Sequence, residues 1–279
     1  MVNKQILVAL DSGQAARSAL KLAARLAGAL DASLVLVRVL SPTEAEKPVR
    51  EEFAAAGTEL AAQGIRAHYE LTTAKPSAVP DEILDLAAAL PAYLIVMGSR
   101  ARLAVADLLF GSVSAQVISR SACPVLVVRP GDGQSQADPR LILLALEGDE
   151  GSEPLLNVTE DLARALKAAV QVVHVSYPGG DQLERSLYHA RQTHGEQALA
   201  KAVKRLRGAG LEATAVQLFN RDGIAAELAR HAEDVGADLI VVGLHEESRP
   251  EERFLGTLPR SVIRRSKRPV LIAKEHPGR

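Results

Sequence analysis

The sequence predicts two tandem α/β domains, each a doubly wound, Rossmann-like, parallel five-stranded sheet. Three features predict it. Short Val/Leu/Ile runs alternate with helix-period segments; the runs are almost continuously apolar; and the whole pattern occurs twice. A strand that faces water on one side alternates apolar and polar residues, whereas one covered on both faces does not. Unbroken apolar runs joined by helices are therefore strands of a parallel sheet with its crossovers.

The duplication is visible in matching segments. ILVALDSG from Ile6 resembles ILLALEGD from Ile142, an offset of 136, and Pro42 matches Pro178 at the same offset. AYLIVMG (92–98) matches ADLIVVG (237–243) at 145, and the endings ISRSACPVLVV from Ile118 and IRRSKRPVLIA from Ile263 keep 145. Two constant offsets mean one duplication with a net insertion of 9 residues in the second copy, placed in the polar helical stretch DQLERSLYHARQTHGEQALAKAVKRLRG. GDGQSQADP (131–139) is small, polar and Pro-bounded, the composition of a linker, so the domains are 1–130 and 140–279.

In the first copy, strands are expected near Ile6–Leu10, Leu34–Val39, Arg66–Leu71, Leu94–Met97 and Val125–Val128. Helices are expected near Gln14–Ala29, Thr43–Gln63, Asp81–Leu90 and Ser114–Ser121. In the first of these Ala19, Leu22, Ala23, Leu26 and Leu30 recur at three and four residues, one apolar stripe for a sheet to cover.

Composition bounds the function. Of 279 residues 47% are hydrophobic and 24% charged, enough for a sizeable core. The net charge of -1 offers no basic footprint for nucleic acid, and 3% aromatics without Trp give no base-stacking platform. One cysteine excludes an internal disulfide framework and a multi-thiolate zinc site. The N-terminus reaches Asp11 too soon for a secretory apolar region, and the uncharged run from Leu86 is too short for a membrane span. A cytoplasmic protein is expected.

In an open parallel sheet, ligands bind beyond the carboxyl ends of the strands where strand order reverses. Asp11 follows the first strand there, and Gly98 begins GSRARLAVADLLFGSVS, which ends at Gly111-Ser112 as a helix starts. Glycines let backbone approach a ligand, and a helix N-terminus offers free amides to an anion. Ser112 and Ser114 add hydroxyls, Arg100 can neutralise a phosphate, and Asp11 can accept from a ribose hydroxyl or an adenine amine. A nucleotide site is one reading. Ordinary loop chemistry, with Asp11 capping the first helix and Arg100 and Arg102 solvated, is the other.

These residues resemble the universal stress proteins, whose ATP signature is Gly, two residues, Gly, nine residues, then Gly followed by Ser or Thr. Gly98, Ala101 and Gly111-Ser112 keep that spacing, as do Gly243, Glu246 and Gly256-Thr257. The resemblance covers nearly the whole chain, once per half. It implies a pseudo-dimer of the two halves, with the closing PVLVV and PVLIA strands as dimerisation strands and a homodimer as a further option. Carried over position by position, it implies ATP contacts, with Mg²⁺ accompanying the triphosphate, at Asp11, Val39, Met97, Gly98, Arg100, Ala101, Gly111, Ser112, Val113 and Ser114.

The copies depart from the signature unequally. Ala101 replaces the middle glycine; if that position needs a left-handed backbone the cost is about 1–2 kcal/mol. In the second copy Glu147 stands for Asp11, His245 for Arg100, Glu246 for the middle glycine and Pro259 for Ser114. A carboxylate about 4 Å from a phosphate costs roughly 1–4 kcal/mol. The second copy is therefore expected not to hold ATP.

Other residues have plainer readings. Cys123 precedes a buried strand and reads as a small core residue, and His174 as a packed core histidine. His189 and His194 fall on different helix faces, and His245-Glu246-Glu247 lacks distant partners to close a metal site. RSVIRRSKRP is ordinary dipole chemistry at a helix C-terminus. No nucleophile elbow, P-loop lysine, zinc signature or paired carboxylates appear, and Asp107 is the one loop carboxylate for a hydrolase to use. The expectation is an ATP-binding regulatory protein without efficient catalysis that reports energy state to a protein partner. A nucleotide-independent scaffold or chaperone-like protein and a slow ATP hydrolase are the alternatives.

Overall fold

The structure, a computed structural model, describes residues 4–99, 112–130, 139–147, 152–176, 182–245 and 257–275, with backbone alone at 112, 182–194, 245, 257 and 275. The linker 131–139 lies outside the described residues except for Pro139. The chain divides into two compact units, residues 1–138 and 139–279.

The first unit contains β1 (Gln5–Ala9), α1 (Gln14–Leu30), β2 (Ser33–Leu40), α2 (Glu46–Ala62) and β3 (Ala67–Thr73). A 3-10 turn (Pro76–Ala78), α3 (Val79–Ala89), β4 (Leu94–Gly98), α4 (Ser112–Arg120) and β5 (Val125–Val128) follow. All pairings are parallel in the order β3-β2-β1-β4-β5, so the predicted doubly wound sheet is present. The central strands β1 and β4 carry its core: Ile6, Leu7, Val8, Leu94, Ile95 and Val96 are all 0% exposed. Helix α1 buries Ala15, Ala16, Ala19, Leu22, Ala23 and Leu26, and small side chains let its backbone lie close to the sheet. It stops where Asp31 turns left-handed and its amide bonds the Ala27 carbonyl.

Helix α2 begins at Glu46, three residues after the expected Thr43. The Glu44 amide donates to the Ser41 carbonyl at 3.0 Å, and Arg38 donates to the Glu44 carboxylate at 2.6 Å, so this stretch is a pinned turn. That hydrogen bond from Arg38 holds the Glu44 carboxyl below its ordinary range. Pro48 then falls in the first helical turn, where a missing N–H costs no helical bond. At the sheet edge β3 is largely exposed, its Tyr69 ring resting on Phe53 of α2 with centroids 5.6 Å apart.

The second unit repeats the plan. It contains β6 (Leu141–Ala145), α5 (Glu153–Leu166), β7 (Ala169–Ser176), α6 (Gln182–Gly208), β8 (Ala213–Phe219), α7 (Ile224–Asp234), β9 (Leu239–His245), α8 (Thr257–Arg265) and β10 (Val270–Glu275). Its strand order is β8-β7-β6-β9-β10, again parallel throughout. The insertion sits in α6, which has 27 residues where α2 has 17. The passage from β8 (ending Phe219) to α7 (starting Ile224) is one residue shorter than that from Thr73 to Val79, leaving the net 9. Among the described residues no helix is long and apolar enough to cross a membrane.

One ion pair of the second unit leads to a pH-dependent expectation. Glu227 of α7 is 1% exposed, pairs with Arg230, and accepts the Arg221 amide at 3.3 Å. The Arg230 hydrogen bond holds its carboxyl below the ordinary range. A carboxyl lowered on folding adds stability above its unfolded pKa of about 4.3, and that stability is lost as pH falls through the folded value. Melting curves from pH 7 to pH 3 should show wild type well above Glu227→Gln at neutral pH, with the gap closing in acid. A gap constant with pH would contradict this.

Candidate functional site

The crevice is defined by where two strands part. Ala9 of β1 still pairs with Met97 of β4. One residue on, the Leu10 amide turns to the Val37 carbonyl of β2 (2.9 Å), and the Ser99 amide turns to the Val128 carbonyl of β5 (2.8 Å). The chain runs outward from β1 to β3 and returns to β4 on the other side of β1, so this parting is the topological switch point.

Asp11 stands on one wall, partly buried. Its Oδ1 accepts the Gly13 amide at 2.8 Å, forming a tight turn that delivers the chain into α1; Gly13 itself is the N-cap, with no side-chain cap. Asp11 thus acts two residues before the cap position. Met97, 4% exposed, and Gly98 form the other wall. A Cβ at Gly98 would lie 2.9 Å from both the carbonyl carbon and the Cβ of Ala15 and 3.0 Å from the Ala16 amide nitrogen. Gly98 has an ordinary backbone conformation, so the close passage of α1 over β4 by itself demands glycine here. Val39 lies half-buried near the carboxyl end of β2, and Ser112, Val113 and Ser114 open α4, where first-turn amides have no helical acceptor. Arg100, Ala101 and Gly111 lie outside the described residues, as do Arg102 and Asp107. The structure therefore gathers Asp11, Met97 and Gly98 at one crevice and places Val39 on the adjoining strand.

The second unit treats the same positions differently. Glu147 is exposed after β6, Gly243 is half-buried in β9, and Thr257 opens α8, whose Pro259 is buried. Glu246 and Gly256 lie outside the described residues. His174, at the position of Arg38, is 8% exposed, and its Nδ1 donates to the Leu146 carbonyl at 3.0 Å. A carbonyl only accepts, so in a neutral ring Nε2 carries no proton. Gly195 of α6 lies against that edge: a Cβ there would be 2.5 Å from both Cδ2 and Nε2. Sequence reasoning missed this contact, although a glycine inside a helix is itself a signal, since it needs a packing reason. It also missed Ser99, a spacer residue of the motif, whose hydroxyl is buried without a partner among the described residues.

Burial pushes the Cys123 thiol up, away from the reactive thiolate. Among the described residues no group of three His, Cys, Asp or Glu could hold a metal ion.

Comparison with known proteins follows this duplicated geometry. The model of the universal stress protein family matches residues 3–129 and again residues 139–274. The chain belongs to the universal stress protein family. It is a tandem member, since the family model matches once in each half of the chain. A universal stress protein of Mycobacterium bovis is 28% identical over 193 residues, 66% of this chain and 62% of that protein, so the match spans less than two thirds of that relative. A universal stress protein of Mycolicibacterium smegmatis is 27% identical over 295 residues and 96% of each chain. The crystal structure of a universal stress protein from Archaeoglobus fulgidus covers 99% of this chain and 100% of its own, at 17% identity and a TM-score of 0.75. At that identity the likeness speaks for the fold.

Proposed function

We propose that this universal stress protein binds ATP, with Mg²⁺ as its counterion, in the N-terminal domain and acts in the cytoplasm as a regulator rather than as an efficient enzyme. The supporting observation is the crevice where β1 and β4 part, with Asp11 on one wall and Met97-Gly98 on the other. In this reading Asp11 accepts from the ribose or adenine, Val39 borders the base, and Arg100 with Gly111, Ser112 and Ser114 holds the phosphates, while Val113 and Ala101 line the loop. Burial of Pro259 and the exposure of Glu147 favour a second domain without ATP. The Ala101 departure favours a second reading, a nucleotide-independent interaction scaffold.

Calorimetry with Mg-ATP separates these readings. The expected result is one ATP per chain, abolished by Gly111→Val and retained in Gly256→Val. Two per chain would refute the argument from the second copy. No binding to wild type would favour the scaffold. Radiolabelled ATP should stay intact over hours; rapid turnover would refute the non-catalytic reading.

A further inference from the structure

Among the described residues the exposed large hydrophobic side chains are Tyr69, 42% exposed, and Phe219, 50% exposed. Each belongs to the edge strand of its unit, β3 or β8, and an edge strand carries a row of unpaired N–H and C=O groups. The two edges differ in how they are guarded. β3 exposes Glu70 in mid-strand, and such a charge discourages pairing with another chain. β8 (ATAVQLF) has no charge and no proline, and its register with β7 is unbroken from Ala213 to Phe219, so no bulge turns it away.

The direction of its backbone groups follows from its partner strand. The Val170 amide donates to the Glu212 carbonyl and the Asn220 amide to the Ser176 carbonyl, both at 2.8 Å. Residues 212 and 220 therefore address β7, and alternation sends the amides and carbonyls of Ala213, Ala215, Gln217 and Phe219 to the open edge. The Ala213 carbonyl is already engaged, since Arg207 of α6 donates to it from Nε at 2.9 Å. Ala215, Gln217 and Phe219 keep the open edge.

This segment is self-complementary. Laid antiparallel against a second molecule and centred on Gln217, Ala215 pairs with Phe219 of the partner molecule, Phe219 with its Ala215, and Gln217 with its Gln217. All are hydrogen-bonded pairs, which exchange an N–H···O bond in each direction. Directly opposite residues share a face, so the exposed Phe219 meets an exposed Ala215, a large side chain against a small one. On the other face half-buried Val216 lies opposite half-buried Leu218. Centring on Val216 instead would set Phe219 against Ala213, which is buried and whose carbonyl Arg207 holds.

We propose that β8 is a homodimerisation edge: two molecules of this chain pair their β8 strands antiparallel about Gln217, with Phe219 packed on Ala215 across a two-fold axis. Nucleotide is not required for this contact. The contact is small, so the dimer is weak and reversible.

Sedimentation equilibrium of the full chain from about 1 μM to about 300 μM covers the range of a weak, small interface. The mass should rise from 29.6 kDa towards twice that value. Ala215→Pro removes an N–H that points out of the sheet, so it should melt like wild type at the lowest concentration and stay monomeric at the highest. Phe219→Ser should weaken the dimer at least about tenfold, and Tyr69→Ser should leave it unchanged. Mild oxidation in a Cys123→Ser background reads the register without any proline. The thiols of Gln217→Cys face each other with Cα atoms about 5.5 Å apart, within disulfide reach, whereas that of Val216→Cys faces Leu218. Cross-linked dimer should form at least about tenfold faster from Gln217→Cys than from Val216→Cys. A monomer at every concentration, a dimer that survives Ala215→Pro, or equal cross-linking would overturn the assignment. Loss of the dimer in Tyr69→Ser would mean that β8 meets β3, and would overturn it too.

Discussion

Gly98→Ala should destabilise the N-terminal domain by about 1–3 kcal/mol, and Gly98→Val by more, with or without nucleotide. The added carbon would stand 2.9 Å from the carbonyl carbon and Cβ of Ala15 and 3.0 Å from the Ala16 nitrogen. Two of those atoms are helix backbone, so relief requires α1 to lift from β4. That movement would separate Ala15, Ala16, Ala19 and Leu22 from the strands they cover. Gly28 is the control, since it lies in the same helix with nothing within 4 Å of a Cβ. Gly28→Ala should therefore stabilise by up to about 1 kcal/mol through helix propensity. Urea unfolding of the two variants beside wild type checks both signs. A Gly98→Ala midpoint equal to wild type would mean that the helix yields without cost.

Gly195→Ala should destabilise the second domain by about 1–3 kcal/mol, and the sign should reverse once His174 is removed. The His174 ring cannot swing aside freely, because its Nδ1 is bonded to the Leu146 carbonyl and the side chain is buried. An alanine methyl 2.5 Å from the ring must break that bond or displace α6. In a His174→Ala background the obstacle is gone. Replacing a helix-interior glycine by alanine is then worth about 1 kcal/mol in the opposite direction. A double-mutant cycle of thermal or urea unfolding measures the coupling. Equal effects of Gly195→Ala in both backgrounds would show that ring and helix are not in energetic contact.

Most of the architecture is legible in the sequence because it is written in local pattern. Apolar runs such as Leu94–Gly98 and Val125–Val128 form strands within a residue of expectation, and the changed repeat offset locates the longer helix α6. Helix α2 starts three residues later than periodicity predicts, since an Arg38–Glu44 pair six apart in sequence holds a turn that periodicity cannot register. The site is legible in part. Asp11 and Gly98 stand out because strand ends are predictable, and a strand end is where this fold places ligands. The sequence suggests that Gly98 admits a ligand, whereas in the folded chain the backbone of α1 already requires glycine there. His174 against Gly195, and the unpartnered hydroxyl of Ser99, depend on which surfaces meet after folding. Neither leaves a periodic trace in the chain.

The order in which the strands are made differs from the order in which they lie. Of the five strands of the first unit β1 is made before the others, yet it takes a central place, and its neighbour β4 is not translated until residues 94–98. For most of the synthesis of the first half, β1 therefore has a partner on one side alone, and the backbone N–H and C=O groups of its other edge await a strand not yet made. The second half inherits the same delay, because β6 waits for β9. Yet every pairing within β1–β5 is closed by residue 128, before any strand of the second half has been made. Tandem duplication of a unit that closes on itself therefore keeps each wait to the length of one domain instead of two.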